Sequence, residues 1–427
     1  MSKTNVKEKN NRLISFKGID ISIIFISMFL SAFCLVFVYS ASAFESSEAK
    51  SFLNLISLTS SDKLLMKTIL FIVAGVIMMI AISAVDVKSL KNRFPKIYKL
   101  ITNPAIYYSI SVCLFLFLEV MKKIGLKYEK DGSSEAGLGF LIKANNAYRW
   151  IKIPHTPISF QPSEVVKLLL IIAFALMIVN AGVILKHKRG ILIFIAFAAL
   201  PSFLVLVCSS DLSSSIVVFG IMYIMMFVAG PDLKNSLIIL FAMLALVFAV
   251  GGALVLYNYG KDEVDIKPYQ AKRILAWLYP DMYPKSADQT KQAMYAIGSG
   301  GLTGVGIGNS MQKIKKLPEA QNDMIFALIC EELGLFGGIL VLLLYGVLIF
   351  RMYMIVLNTD NLFDRMVVVG VISHIGLQVI INVFVVTKLF PNTGIPLPLI
   401  SAGGSSIVLM YMELGLVLNI GKSIERK

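Results

Sequence analysis

The sequence predicts an all-α fold: a polytopic integral membrane protein of about ten transmembrane helices, with both termini cytoplasmic. Three observations carry this. The chain is 57% hydrophobic and only 15% charged, with a mean hydropathy of +0.78. Apolar stretches long enough to cross a hydrocarbon core of about 30 Å recur along it. The basic residues gather in alternate short connections.

The apolar segments fall at about 19–42, 64–85, 103–121, 162–184, 190–207, 212–230, 234–257, 323–350, 366–387 and 397–421. Helices are expected for all of them, because a helix satisfies its own backbone groups in lipid. The first is too long for the apolar core of a cleaved signal, and "YSASAF" after it reads as a helix end. With the N-terminus inside, the basic clusters occupy internal connections. They are Lys3, Lys7, Lys9, Arg12 and Lys17; Lys88, Lys91, Arg93, Lys96 and Lys99; Lys186, Lys188 and Arg189; and Lys422, Arg426 and Lys427. The expected organisation is a basic tail at 1–18, a membrane domain at 19–421 and a short tail at 422–427. The net charge of +14 is therefore a topology signal, aided by anionic lipid, and nucleic acid is excluded as a partner. The four cysteines lie in or at the ends of apolar segments without metal-ligand spacing, so neither a disulfide framework nor a zinc site is expected.

Two external connections are long: about 122–161, and a larger one at about 258–322 between the seventh and eighth helices. Their aromatic and apolar content argues against disordered linkers. "PYQAKRILAWLYP" reads as an amphipathic helix at the interface. No inverted repeat of the transporter kind is evident.

Charge is concentrated in "KKLPEAQNDMIFALICEELG", residues 315–334. Asp323 stands where polar chain meets the eighth apolar run. It suits a helix cap, or a general base at the mouth of a cavity with its pKa adjusted by partial burial and neighbouring charge. Lys313, Lys315 and Lys316 suit either lipid headgroups or a diphosphate leaving group. Glu331 and Glu332 lie ~12 Å deeper. Such carboxylates are normally paired or cavity-facing, and Glu164 and Lys167, three apart on one helical face, supply a candidate partner or a structural pair of their own. Asp211 in "SSDLSSS" is a cap or a site-lining charge. "FPNTGIPLPLISAGGSS" (390–406) is irregular chain at membrane depth, where Ser405 and Ser406 and glycine amides suit an anionic or sugar group. "GSGGLTGVGIG" follows no strand, so its likeness to a nucleotide loop is weak.

"YSAS", "RWI", "FQPSEVVKL", "AIGSGGLTGVGIGNSMQK", "LPEAQND", "EELG", "PNTGIPLPLIS" and "GGSS", in this order, resemble the SEDS proteins (shape, elongation, division and sporulation), closest to the FtsW/SpoVE branch. The resemblance runs from about 19 to 421. It implies a peptidoglycan glycosyltransferase that polymerises lipid II at the outer face of the bacterial cytoplasmic membrane, releasing undecaprenyl diphosphate with inversion. Asp323 would be the catalytic base. Glu319, Arg273, Lys313, Lys315, Gln292, Ser405 and Ser406 would bind substrate, with Glu164, Lys167, Asp211 and Glu332 as supporting charges. A divalent cation, Mg or Mn, is a possible cofactor. The implied partners are a class B penicillin-binding protein and other divisome or elongasome membrane proteins. The chain departs from the family pattern at "QND" and Met324, where His-Thr-Asp and Phe are usual, and at Ala402, where Tyr is usual. A lipid II flippase and an inactive scaffold for the transpeptidase stay open as alternatives.

Overall fold

A computed structural model of the chain describes residues 20–424, apart from 48–59, 87–91, 131–140, 145–146, 153–158, 183–184, 186, 210, 231–232, 264–265, 267–268 and 315–316. The N-terminal tail, residues 425–427, Lys88, Lys91, Lys186, Lys315 and Lys316 thus lie outside the described residues.

Helices α1 (Ile21–Ser47) and α2 (Ser60–Ala84) lead into the short α3 (Pro95–Ile101) and then α4 (Pro104–Lys130). In the first external connection, β1 (Leu141–Ala144), β2 (Ala147–Lys152) and β3 (Ser159–Phe160) form an antiparallel sheet that hydropathy gave no hint of. The bundle continues with α5 (Pro162–Ala181), α6 (Lys188–Ser209), α7 (Leu212–Val228) and α8 (Leu233–Asn258). The second external connection holds α9 (Tyr269–Leu278), α10 (Pro284–Gly300) and α11 (Met311–Ile314). The chain returns through α12 (Ile325–Asn358), α13 (Leu362–Val386) and α14 (Gly404–Ile424).

Every expected apolar segment lies on a helix. Among the described residues eight helices are long and apolar enough to span a membrane, and α7 and the two apolar halves of α8 supply shorter stretches. The last helix begins at Gly404, not 397, because 390–403 is irregular chain packed against protein.

Glycines let the helices of the bundle pack closely, as expected where lipid removes the hydrophobic drive between helices. A Cβ on Gly75 of α2 would stand 2.5 Å from Tyr411 of α14, and one on Gly415 would stand 2.8 Å from the Met79 carbonyl oxygen. Tyr411 is fully buried, its hydroxyl 2.7 Å from Ser31 Oγ and donating to the Ser27 carbonyl of α1 at 3.2 Å. At the C-terminal end of α14 Lys422 donates to the last carbonyls of α2, Ser83 and Ala84. Pro201 inside α6 cannot donate to the Phe197 carbonyl. The Tyr108 hydroxyl of α4 takes that acceptor at 3.1 Å. A buried pair that sequence reading passed over, His374 Nδ1 and Glu413 Oε2 at 2.8 Å, joins α13 to α14.

The largest irregularity is in α12. Gly334 has φ 69° and ψ −168°, breaking the helix. The backbone groups freed there pair with the glycine-rich segment after α10. Val305 N–H donates to the Glu331 carbonyl, Gly306 N–H to Glu332, Leu335 N–H to Gly301 and Phe336 N–H to Leu302, at 2.9–3.3 Å. A Cβ on Gly304 would lie 2.2 Å from the Glu332 carbonyl oxygen. "GSGGLTGVGIG" is therefore a backbone-pairing strap, and its glycines admit a neighbouring main chain, not a phosphate.

Candidate functional site

The site is assembled where irregular external chain meets the outer end of α12. Residues 319–324 make tight turns, with Glu319 at φ 56° and its carbonyl accepting from Asn322 N–H and Met324 N–H. The last external turn is stapled onto this segment. Ala402 N–H donates to the Gln321 carbonyl, Ser401 Oγ to the Asn322 carbonyl at 2.6 Å, and Asn382 Nδ2 to the carbonyls of Asp323 and Ile395. Two motifs about 75 residues apart in sequence thus form one surface.

Asp323 is 6% exposed and lies just outside α12, whose N-terminal flank is Met324. It is not the helix cap that one sequence reading allowed. Its carboxylate accepts from Gln289 Nε2 of α10, at 3.2 Å to Oδ1 and 3.4 Å to Oδ2. Burial, joined by the charge of Glu319, pushes its pKa up to about 7, while Arg273 and the Gln289 amide pull the other way. Arg273 of α9 comes close as well. A Cβ built on Gly394 would lie 3.6 Å from Asp323 Oδ2 and 3.5 Å from Arg273 Nη1, ordinary contact distances that put this residue beside both carboxylate and guanidinium; its φ of +74° is what favours glycine there.

Helix α9 presents Arg273 because its other face is apolar: Ala271, Leu275 and Ala276 are buried with Tyr283 and Ala287 against Leu254 and Val255 of α8. Trp277 Nε1 donates to the Lys388 carbonyl at 2.9 Å, closing α9 against the last external turn. Beneath that bond lies a pocket of about 150 Å³. Arg273, Lys291 and Lys388 give it cationic walls, and Asp281, Trp277, Thr290 and Asn392 complete it. It shares Arg273 and Asn392 with the surroundings of Asp323.

Other residues singled out from sequence are placed differently. Gln292 donates to Asp288 on its own helix at 3.2 Å; Gln289, one turn earlier, faces Asp323 instead. Both glutamines lie in the same polar helix, and nothing in its pattern ranks one above the other. Ser406 Oγ donates to the Gly403 carbonyl and Ser405 is buried at the start of α14; neither is among the described hydrogen-bond partners of Asp323. Glu319 is exposed and accepts from Asn322 Nδ2 at 2.6 Å. Lys313 is placed only as part of α11.

The deeper charges are structural in their geometry. Glu164 and Lys167 pair with each other at 2.7 Å, side chains 5% and 1% exposed, and do not serve Glu331 or Glu332. Glu332 accepts from Ser40 Oγ of α1. Glu331, which sequence reading ranked no higher, accepts from Ser310 Oγ, Met311 N–H, Gln312 N–H and Ser299 Oγ, anchoring α11 and the end of α10. Asp211 is the N-cap of α7, accepting from Ser214 N–H and Oγ, with Gln161 Nε2 at 3.3 Å. No cluster of three or more His, Cys, Asp or Glu side chains with metal-holding geometry occurs among the described residues.

Known proteins place this architecture. Stage V sporulation protein E of Bacillus subtilis is 39% identical over 282 residues, covering 65% of this chain and 72% of the relative. A probable peptidoglycan glycosyltransferase FtsW of Coxiella burnetii is 33% identical over 286 residues, 66% and 73% of the two chains. Among solved structures, the rod shape determining protein RodA of Thermus thermophilus matches with a TM-score of 0.56 at 23% identity, over 96% of this chain and 98% of that one. A chain from work described as "Structural coordination of polymerization and crosslinking by a peptidoglycan synthase complex" matches with a TM-score of 0.68 at 22% identity, over 96% and 100%. At those identities the structures speak for the fold. The family model FTSW_RODA_SPOVE, "Cell cycle protein", matches residues 20–426, and the chain belongs to that family.

Proposed function

We propose that this chain is a peptidoglycan glycosyltransferase that extends glycan strands from lipid II at the outer face of the bacterial cytoplasmic membrane. One observation carries the reading: a buried carboxylate at the membrane surface, Asp323, with a pKa near neutrality, opens beside a guanidinium and a cationic pocket. A base is most effective when its pKa lies close to the working pH. Relatives named as probable peptidoglycan glycosyltransferases support the same reading.

In the proposed reaction ionised Asp323 removes the proton from the acceptor sugar's 4-hydroxyl. The oxygen attacks the anomeric carbon of the donor, and the bond from that carbon to the diphosphate breaks with inversion. Its electron pair leaves with the polyprenyl diphosphate. That leaving group departs as an anion and needs no proton, so one carboxylate suffices where a glycosidase needs two. Arg273, Lys291 and Lys388, which line the pocket together, would meet the developing diphosphate charge. Glu319, exposed and close enough for its charge to act on Asp323, would be the carboxylate available to hold a divalent cation, which would supply further neutralisation of the diphosphate charge. A class B penicillin-binding protein is the proposed partner, in keeping with the joint polymerisation and crosslinking ascribed to the structurally similar complex.

The test is polymerisation of purified lipid II by the chain with its transpeptidase, wild type beside Asp323→Asn. Glycan from the wild type and none from the variant is expected. Equal product from both would remove Asp323 as the base. No product from either, with outward lipid movement intact, would transfer the proposal to a flippase.

A further inference from the structure

We infer that Gln289 and Asn392 form an amide relay that holds the Asp323 carboxylate in its proton-accepting form and orientation, making them positioning residues for the base. The inference rests on the glycosyltransferase reading for its consequence, but on side-chain geometry for its existence.

The oxygen and nitrogen of a carboxamide cannot ordinarily be told apart by shape, and their assignment follows from the hydrogen-bond network. Here the network permits one assignment, since backbone groups fix both ends. Gly394 N–H can only donate, and its partner at 3.1 Å is Asn392, so that atom is Oδ1. Asn392 therefore presents Nδ2 to Gln289, at 2.7 Å, and the atom it meets is Oε1. Gln289 in turn presents Nε2 to the far end. There it meets the Pro318 carbonyl, which can only accept, at 3.2 Å, and both oxygens of Asp323. Reversing either amide would set an N–H against an N–H at Gly394, or a carbonyl against a carbonyl at Pro318.

The consequence for Asp323 follows from charge. A fixed N–H donor favours an ionised carboxylate, because bonds to charged acceptors are about twice as strong as neutral ones. Among the described residues, the charged groups acting on Asp323 are Glu319 from its own segment and Arg273 from α9. Helix α10 contributes neutral Gln289, α13 contributes Asn382 to the Asp323 carbonyl, and the last turn contributes Asn392 through Gln289. Asn392 is 8% exposed, and it also lines the cationic pocket. It thus couples that pocket to the base. A group bound there that turned the Asn392 amide would turn Gln289 as well, and the donor would leave Asp323.

The experiment reads proton affinity and turnover separately. The carboxyl-stretch difference spectrum of the protein against Asp323→Asn gives the half-protonation point of Asp323, and lipid II polymerisation against pH gives the acidic limb of the rate. Gln289→Leu should raise both by about one pH unit, a ~10-fold loss of rate on the acidic side that recovers in alkali. Asn392→Ala should move both the same way by less. Gln289→Glu keeps the packing, sets a second carboxylate against the first, and should move both furthest. A rate lowered equally at every pH, with the half-protonation point unmoved, would reduce the two amides to packing and overturn the relay. A shifted half-protonation point in a chain that polymerises nothing would uphold the relay and remove the glycosyltransferase reading.

Discussion

Replacing Asp323 by Asn should stabilise the protein at alkaline pH while abolishing polymerisation. The ordinary pKa of the carboxyl, 3.8, is raised to about 7 in the fold. At ~1.4 kcal/mol for each tenfold change in proton affinity, the fold opposes ionisation of this group by roughly 4 kcal/mol, an upper bound. Because the folded pKa lies above the unfolded one, the folded chain holds the extra proton between about pH 4 and pH 7, and stability falls as pH rises through that window. Above about pH 7 the ionised carboxylate bears the full cost; below about pH 4 both states are protonated and nothing is lost. Asn mimics the protonated side chain at all pH. Thermal melts of wild type and Asp323→Asn in the same detergent should therefore diverge as pH rises, the variant melting higher by a few degrees near pH 8 and equally near pH 4. A gap independent of pH, or a variant that melts lower at pH 8, would refute a base kept ionised against its surroundings.

Three further outcomes follow from the fold. Glu164→Gln or Lys167→Met alone should cost about 3–5 kcal/mol by leaving one buried charge unpaired, while the exchanged pair Glu164→Lys with Lys167→Glu should recover part of it, read as melting temperature in detergent. Asp211→Ala should lower stability by about 1 kcal/mol through loss of the α7 cap, with lipid II turnover per folded molecule unchanged. Tyr108→Phe should cost about 1–3 kcal/mol, because the Phe197 carbonyl freed by Pro201 would have lost its donor on a helix face turned to lipid, where no water replaces it; melts would check it.

What could be read from sequence was what local pattern encodes. Hydropathy located the spans because lipid demands about 20 apolar residues of every crossing. The spacing of Glu164 and Lys167 put them on one helical face, and their pairing is an i, i+3 contact. Asp323 stood out because a carboxylate at the edge of an apolar run is costly there. The rest depends on contacts between distant segments. Gln289 differs from Gln292 only in facing Asp323 across 34 residues of chain, and Asn392 reaches Gln289 across 103. The glycines of 300–306 were visible, but the main chain they admit, 331–336, is supplied by another helix. His374 and Glu413 are polar residues on separate apolar helices, and only α13 packing on α14 makes them a pair. For Ser405 and Ser406 the composition of the turn drew attention, and only the fold shows that the one hydroxyl is bonded locally and the other residue is buried.

The break at Gly334 bears on catalysis as well as packing. An uninterrupted α12 would satisfy its own backbone and leave the external connection free to drift. By opening at Gly334 it exposes groups that must be bonded at membrane depth, and the strap after α10 is what bonds them. Helix α10, which carries Gln289, is thereby fixed by main-chain pairing to the helix that begins two residues after Asp323. Glu331 reinforces the same joint from its side chain. The base and its donor thus sit on one rigid unit, as the steep cost of misplacing reacting groups by about 1 Å requires. Gly304→Ala tests this. Its Cβ would stand 2.2 Å from the Glu332 carbonyl oxygen at a φ of +81°, so the strap must move. Gly298→Ala, a helical position of α10 with nothing within 4 Å, is the control. The alanine at 304 should lower turnover by ~100-fold in the protein that still folds, with the control unaffected. Full turnover from a folded Gly304→Ala would mean that the strap serves the bundle alone and leaves the base to find its own place.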